Sequence, residues 1–304
     1  MEPSASVQVP GVLYRVEHHT RYVYASQVEL AHHLAQLRPL SVETLQQCEQ
    51  HRCDIEPVPG HRSSSLDAFG NQRLFFACYA PHDTLSVRAV SLVRVYPTPE
   101  PRWERSPAWE SVRERLQYRP GQPNEPAAEF AFGSHFAPRF DEAASYASTE
   151  FTAGRPLLEA AHALMHRLHA EFTYDPSSTE VHTRAPQALQ LRHGVCQDYA
   201  HVMISALRSL GLAARYVSGY LRSRPRPGEE QLVGADASHA WVAVWCPVHG
   251  WVEFDPTNDR RPAADYVRVA VGRDFADVSP LRGVIRGGGE HELQVAVNVS
   301  PAQG

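Results

Sequence analysis

The chain has 304 residues, of which 43% are hydrophobic and 21% are charged, so it can form a globular protein with a large buried core. Its net charge of −5 gives no reason to expect a nucleic acid or an anionic membrane as a partner. The beginning of the sequence lacks the features of a secretory signal, and no apolar run reaches the ~18 residues of a membrane span. The five cysteines are an odd number at scattered spacings, which suggests a reducing cytoplasm rather than a disulfide framework.

The first third of the sequence has the alternating pattern of β-strands. Residues 12–24 alternate apolar and polar side chains, and similar runs follow at 45–55, 73–79 and 85–96. The segment DAFGN at 67–71 is a turn signal between two of these runs. We therefore predict an antiparallel β-sandwich domain over residues 1–110.

The middle of the chain, residues 111–150, is rich in proline and charge and has weak periodicity. It is interpreted as a connector with one short helix near 107–117. Beyond the connector, the spacing of apolar residues predicts amphipathic helices at 155–171 and 196–210. Gly211 is placed to cap the second of these helices at its C-terminus.

After these helices the sequence returns to strand-like runs. They lie at 213–221, 238–246 and 250–255. Helices followed by an antiparallel sheet form an α+β core, which we place at residues 151–290. The alternation in HELQVAVNVS predicts one further strand in the C-terminal segment, residues 291–304.

A cysteine at the predicted start of a helix is the first candidate for chemistry. Cys196 stands in the run RHGVCQDYAH, where Gly194 allows a sharp turn just before the helix. The unpaired N–H groups and the positive dipole end of a helix favour a thiolate, which is the nucleophilic form of the side chain. Cys196 shares its helix stripe with Ala200, Met203 and Leu207, so its sulfur should point toward the protein body.

Two partners for this cysteine lie on consecutive predicted strands. His239, in ASHAWV, would be held firmly on a strand, as a general base must be. The connection PVHG suits a hairpin that returns Asp255 beside His239, where a carboxylate would orient the ring and stabilise the imidazolium. Each residue alone has an ordinary structural explanation. Together they predict a Cys196–His239–Asp255 catalytic triad.

The runs that carry these residues resemble a known family. GVCQDYAHVMISALRSLGLAARYVSGYL and ASHAWVAVWCPVHGWVEFDPTND resemble the core of bacterial transglutaminase-like proteins, and the likeness continues into VAVGRDFADVSPLRGV. The N-terminal half, with DAFGN, resembles the β-sandwich that precedes this core in the same family. The resemblance implies a papain-like core in which Cys196 is the nucleophile on a helix. It implies that His239, the base, and Asp255, its orienting acid, lie on adjacent strands.

Three further candidates lie close to the cysteine in sequence. Oxyanion stabilisation is expected from the Cys196 backbone N–H and a second donor, for which Tyr174 is the candidate. A core aromatic at a helix end explains Tyr174 equally well. Gln197 and Asp198 either line the cleft or cap the helix.

Other candidates lie farther along the chain. Trp241 shares a strand face with His239 and is a candidate for substrate binding. Arg273 and Asp274, in the loop GRDFAD, either form a substrate wall or belong to a solvated turn, and the family resemblance favours the wall.

No metal and no cofactor are predicted. Cys48 and Cys53 are five residues apart on a predicted strand and should face opposite sides, and their spacing fits no common zinc pattern. A glycine-rich phosphate loop is not found in the sequence, so no nucleotide is expected.

The predicted reaction is acyl transfer from a peptide or protein amide through a thioester. Water as the acceptor would make the protein a cysteine peptidase or amidase, and an amine would make it a transglutaminase. We expect hydrolysis, because water is abundant and uncontrolled cross-linking would harm a cell. The segment 222–236 is mainly basic apart from Glu229 and Glu230, which predicts acidic groups near the scissile bond. A non-catalytic binding module is the remaining alternative, and the oligomeric state is not predicted.

Overall fold

The computed structural model describes residues 11–222 and 238–302. Its first part is an antiparallel sheet. The strands from the N-terminal third are β1 Val12–Ala35, β2 Gln46–Glu56, β3 His61–Leu66, β4 Gln72–Cys78 and β5 His82–Val95. Their order is β2-β5-β1-β4-β3, and the predicted antiparallel β architecture is confirmed.

The long strand β1 gives this sheet its curl. Its first half pairs with β5, and after a register shift between Val23 and Val28 its second half pairs with β4. A strand bends at such a shift. The two halves therefore face each other across a buried cluster that includes Phe76, Leu85 and Val87.

A β-bulge in β2 corrects the prediction made for its two cysteines. The register against β5 shifts between Cys48 and Gln50, so Cys48 lies opposite Val93 and Cys53 lies opposite Ala89. The extra residue changes the alternation and puts both cysteines on the same face of the strand. Both are buried there.

The middle of the chain forms the α+β core. Its helices are α1 Trp109–Arg115, α2 Asp141–Ser148, α3 Leu157–Glu171, α4 Ala185–Leu191, α5 Cys196–Ser209 and α6 Phe275–Val278, with 3-10 turns at Trp103–Arg105 and Pro126–Ala131. Its strands are β6 Thr173–Tyr174, β7 His193–Gly194, β8 Ala214–Leu221, β9 Ser238–Cys246, β10 Gly250–Phe254 and β11 Tyr266–Gly272. Strands β8 to β11 make a four-stranded antiparallel sheet in the order β10-β9-β8-β11.

Helix α5 packs on one face of the four-stranded sheet. Its residues Ala200, Met203 and Leu207 belong to the same buried cluster as Val242 and Val244 of β9. Helices α3 and α5 confirm the two helices predicted at 155–171 and 196–210. Helix α3 buries one apolar face in this cluster, whereas α5 is a central helix whose residues from Gln197 to Arg208 are all buried. Helix α2 was not predicted and lies in the segment interpreted as a connector.

The C-terminal strands β12 Leu281–Gly287 and β13 His291–Pro301 return to the first sheet. Both pair with β1, β12 along residues 28–35 and β13 along residues 14–24. The sequence placed 281–290 with the core. The structure instead pairs β12 with the edge of β1 that β4 leaves open. A strand of 24 residues has room for several partners along each edge.

Two buried amides join the N-terminal sheet to the core at the edge strand β11. Asn71 donates to the carbonyl oxygen of Val271 at 2.7 Å and accepts from its N–H at 2.8 Å. Gln46 makes the same pair of bonds with Arg268, at 2.7 and 2.8 Å. Each amide satisfies backbone groups that a neighbouring strand would otherwise pair. Within the described ranges, no helix is long and apolar enough to cross a membrane.

Candidate active site

His239 and Asp255 form a buried pair at one end of the core sheet. Nε2 of His239 lies 2.7 Å from Oδ2 of Asp255, and both side chains are fully buried. The β9–β10 hairpin produces this contact, because its register sets Phe254 opposite Val242 and carries the chain onward toward His239.

The carboxylate of Asp255 accepts hydrogen bonds at both oxygens. Oδ2 also accepts from the hydroxyl of Tyr266 at 2.7 Å and from Nδ2 of Asn258 at 2.8 Å. Oδ1 accepts from the backbone N–H groups of Thr257 and Asn258, at 3.0 and 3.3 Å. Burial alone would raise the pKa of Asp255, but His239 and these donors bring it below its ordinary value. Asp255 is therefore an ionised and firmly oriented acceptor.

The imidazole of His239 is set up to carry a proton. Burial alone would lower the pKa of His239, but the charge and hydrogen bond of Asp255, with a smaller contribution from Cys196, raise it above its ordinary value. Its second ring nitrogen, Nδ1, has no hydrogen-bond partner in the described part of the chain. Because Nε2 is engaged by Asp255, Nδ1 is the ring nitrogen that remains available to another group.

Cys196 is the first residue of α5 and is partly exposed, and the turn before it is held by Asp198. Oδ2 of Asp198 accepts from the N–H of Val195 at 2.8 Å and from Oγ1 of Thr179 at 2.7 Å. Gly194 is needed because a Cβ there would lie 2.5 Å from the same carboxylate. Of the two roles considered for Asp198, the structure shows helix capping.

Gln197 follows the cysteine within α5, and Tyr174 lies before it in sequence, on β6. Nε2 of Gln197 donates to the carbonyl oxygen of Val181 at 3.0 Å, which ties the loop before α4 to the start of α5. Tyr174 is 37% exposed and pairs with Gly194. Burial and the nearby Cys196 raise the pKa of Tyr174, so its hydroxyl keeps its proton and can donate it in a hydrogen bond. Tyr174 stays the candidate for the second oxyanion donor.

Trp241 supports His239 from within the protein and has no exposed surface for a substrate. Its ring lies 6.0 Å from that of His239 at an angle of 27°, and the ring of Tyr266 meets it edge-on at 5.4 Å. Gly219 makes room for the indole, since a Cβ there would lie 2.4 Å from the Trp241 ring. The predicted substrate-binding role of Trp241 is therefore corrected to that of a buried support.

Arg273 and Asp274 lie beyond the other end of β11, roughly 20 Å from Tyr266 by strand geometry. Oδ2 of Asp274 accepts from the N–H of Phe136 at 2.9 Å, and its Oδ1 caps the short helix α6. Arg273 makes an ion pair with Asp277 at 2.9 Å. The structure does not bring these two residues to the triad, and their bonds are those of a structural turn.

Two residues that hold Asp255 were missed in the sequence. Asn258 follows Asp255 by three positions in DPTN, and the tendency of Asp to bond the backbone two or three residues on was a usable signal. Tyr266 lies on β11, a strand that the pattern did not reveal, so nothing in the sequence pointed to its hydroxyl. Glu229, Glu230 and the rest of the basic segment 223–237 lie outside the described residues.

Comparison with known proteins finds similarity along the whole chain. The model of the transglutaminase-like superfamily matches residues 145–256, and that of the bacterial transglutaminase-like N-terminal region matches residues 14–94. An uncharacterized protein of Mycobacterium tuberculosis is 39% identical over 312 residues, which covers 100% of this chain and 98% of the relative.

Two further matches are more distant. A crystal structure from Cytophaga hutchinsonii, described as that of a candidate cysteine protease, has a TM-score of 0.73 at 19% identity and covers 98% of this chain and 93% of its own. A protein-glutamine gamma-glutamyltransferase of Pseudomonas aeruginosa is 36% identical over 104 residues, which are 33% of this chain and 16% of that protein. The predicted fold class is confirmed, and the order of the two matched regions is the one that the sequence implied. The chain belongs to the bacterial transglutaminase-like family.

Proposed function

We propose that the protein is a thiol-dependent amide hydrolase with Cys196 as nucleophile, His239 as acid and base, and Asp255 as the orienting carboxylate. The observation that carries this proposal is the fully buried His239–Asp255 pair, whose remaining ring nitrogen is left for Cys196. A buried ion pair is weak support for a fold, because desolvation offsets most of its attraction. Such a pair beside a partly exposed thiol is better explained by chemistry.

The arrangement supports a two-step reaction. The Cys196 thiolate attacks the carbonyl carbon of the amide, and the backbone N–H at the start of α5, with Tyr174 as a second donor, stabilises the oxyanion. His239 then gives its proton to the leaving amine as the C–N bond breaks and a thioester remains. Water attacks the thioester, His239 takes a proton from it, and the acid leaves while Cys196 is regenerated. Asp255 holds the ring in one orientation through both steps.

The second candidate function is transamidation, which the partial similarity to a protein-glutamine gamma-glutamyltransferase favours. The two reactions share every step up to the thioester. Transamidation then needs a groove that presents an amine and keeps water out, whereas hydrolysis needs only access for water. We therefore favour hydrolysis of peptide or isopeptide-type amides. The preference for acidic groups near the scissile bond stays a prediction from the sequence.

Competition between water and an amine tests this choice. With an amide substrate and a primary amine at millimolar concentration, the free acid should be the main product by mass spectrometry. The same incubation with the Cys196→Ala variant should give neither product. If the amide product dominates instead, the protein is a transglutaminase and the hydrolase proposal is wrong.

The accessible thiol can be tested without a substrate. A limiting dose of iodoacetamide at neutral pH should modify Cys196 first among the five cysteines. The other four are buried, and burial raises the pKa of Cys53 to about 11 and also raises that of Cys48 and Cys78. Peptide mapping by mass spectrometry gives the order of labelling.

The matched variant in this experiment is His239→Ala, which should slow labelling of Cys196 and leave the other cysteines unchanged. Even labelling of all five cysteines would count against an activated thiol. Faster labelling of Cys246 would mean that the nucleophile has been wrongly chosen.

A further inference from the structure

A groove of about 710 Å³ lies between the N-terminal sheet and the core, and its lining includes none of Cys196, His239 and Asp255. It is bordered by the loop after β1, the segment after β5 and the β9–β10 hairpin. This hairpin lies roughly 20 Å along β9 from His239. Part of the lining is apolar, formed by Val42, Leu45, Pro99, Pro101, Trp251 and Pro262.

The charged part of the lining has an excess of cations. Its arginines are Arg102, Arg105, Arg215 and Arg261, and its acids are Glu43, Glu100 and Glu253. Glu253 is already paired with the buried Arg268, which donates to it at 2.6, 3.0 and 3.1 Å. The lining therefore has four arginines and only two carboxylates, Glu43 and Glu100, that do not bond Arg268.

Three nitrogens in this lining are buried without a hydrogen-bond partner in the described part of the chain. They are Nε of Arg215, Nε of Arg261 and Nε2 of His249. The guanidinium of Arg215 lies 4.3 Å above the ring of Trp251, and that of Arg261 lies 5.4 Å above the ring of Trp103. Stacking holds each cation in place but leaves its Nε–H group without an acceptor.

The burial of Arg215 also indicates that the groove lacks negative charge. Burial lowers the pKa of Arg215 to about 10, although the charge of Glu253 acts in the opposite direction. The local negative charge is therefore not enough to compensate this buried cation. An oxyanion in the groove would supply both the missing charge and the missing acceptors.

We propose that this groove, which we call the arginine groove, binds a small organic anion with a carboxylate or phosphate attached to an apolar group. The oxygens would lie between Arg215 and Arg261, where two stacked guanidinium groups present their N–H donors. The apolar group would lie on the ring of Trp251 and the adjacent prolines. This binding site is separate from the proposed hydrolytic site, because Cys196, His239 and Asp255 do not line it.

Binding can be measured by isothermal titration calorimetry on the full chain carrying Cys196→Ala, which removes any turnover. The probes are 3-phenylpropanoate, phenyl phosphate and the neutral 3-phenylpropanamide. One of the two anions should bind at least roughly tenfold more tightly than the amide, and added salt should weaken it. The anion that binds more tightly identifies the headgroup.

Arg215→Gln and Arg261→Gln should each weaken binding of that anion by at least roughly tenfold. If either change unfolds the chain by circular dichroism, the exposed pair Arg102→Gln/Arg105→Gln replaces it and should weaken binding and its salt dependence. Arg286→Gln, an exposed arginine on β12, is the matched control and should change nothing. Equal affinity for the amide, no anion binding at millimolar concentration, or unchanged affinity in the folded groove variants would each overturn the proposal.

Discussion

Replacing Asp255 with asparagine should lower the turnover of an amide substrate by about four orders of magnitude, as such a change does in serine-enzyme triads. The neutral side chain can no longer stabilise the imidazolium, so the pKa of His239 should fall. An amide also fits the cavity poorly, because both oxygens of Asp255 accept hydrogen bonds. Whichever way the asparagine turns, its NH₂ group points at a donor.

The matched control is Asp265→Asn, which makes the same change on a carboxylate that pairs with Arg260 near the protein surface. This variant should keep turnover close to that of the unchanged chain. His239→Ala should reduce turnover at least as much as Asp255→Asn, and circular dichroism should show that all three variants are folded. Unchanged turnover in Asp255→Asn would remove Asp255 from the mechanism.

The largest effect on stability is expected at Arg268. This residue lies on the edge strand β11 and pairs with Glu253 on the opposite edge strand, β10. Its Nη2 lies 2.6 Å from Oε2 of Glu253, and the side chains are only 2% and 10% exposed. Arg268→Met leaves the buried carboxylate without its partner, and breaking a buried pair in this way costs about 3–5 kcal/mol. Arg215 also acts on Glu253 by its charge, so the lower end of that range is expected.

Urea unfolding followed by tryptophan fluorescence measures this loss. The control is Arg286→Met, which breaks the exposed pair with Glu29 and should lower the free energy of unfolding by less than about 1 kcal/mol. Adding Glu253→Gln to Arg268→Met should restore part of the loss, because no unpaired charge remains buried. An Arg268→Met variant as stable as Arg286→Met would show that the buried pair does not contribute.

The parts of the candidate active site that could be predicted from sequence are those that depend on short stretches of chain. Helix α5 shows its apolar stripe, and Gly194 and Gly211 show where it begins and ends. The strand carrying His239 and the strand leading to Asp255 are joined by one hairpin, so their proximity follows from local geometry. For the same reason, the contact of Asn258 with Asp255, three residues before it, could have been predicted from the sequence.

The amino-acid pattern by itself determined the helices and strands with strong periodicity, among them α3, α5 and β9, and which residue types could make a thiol-based site, because periodicity and capping are local properties. Helix α2 and strand β11, whose patterns are weak, were not predicted. It did not determine the partners of those elements, since alternation marks a strand without naming its neighbour. Tertiary structure alone pairs β12 and β13 with β1, turns Trp241 inward, and brings the Tyr266 hydroxyl to Asp255. It also gathers Arg102, Arg215 and Arg261 into one groove, because contacts between distant segments depend on the packing of the whole chain.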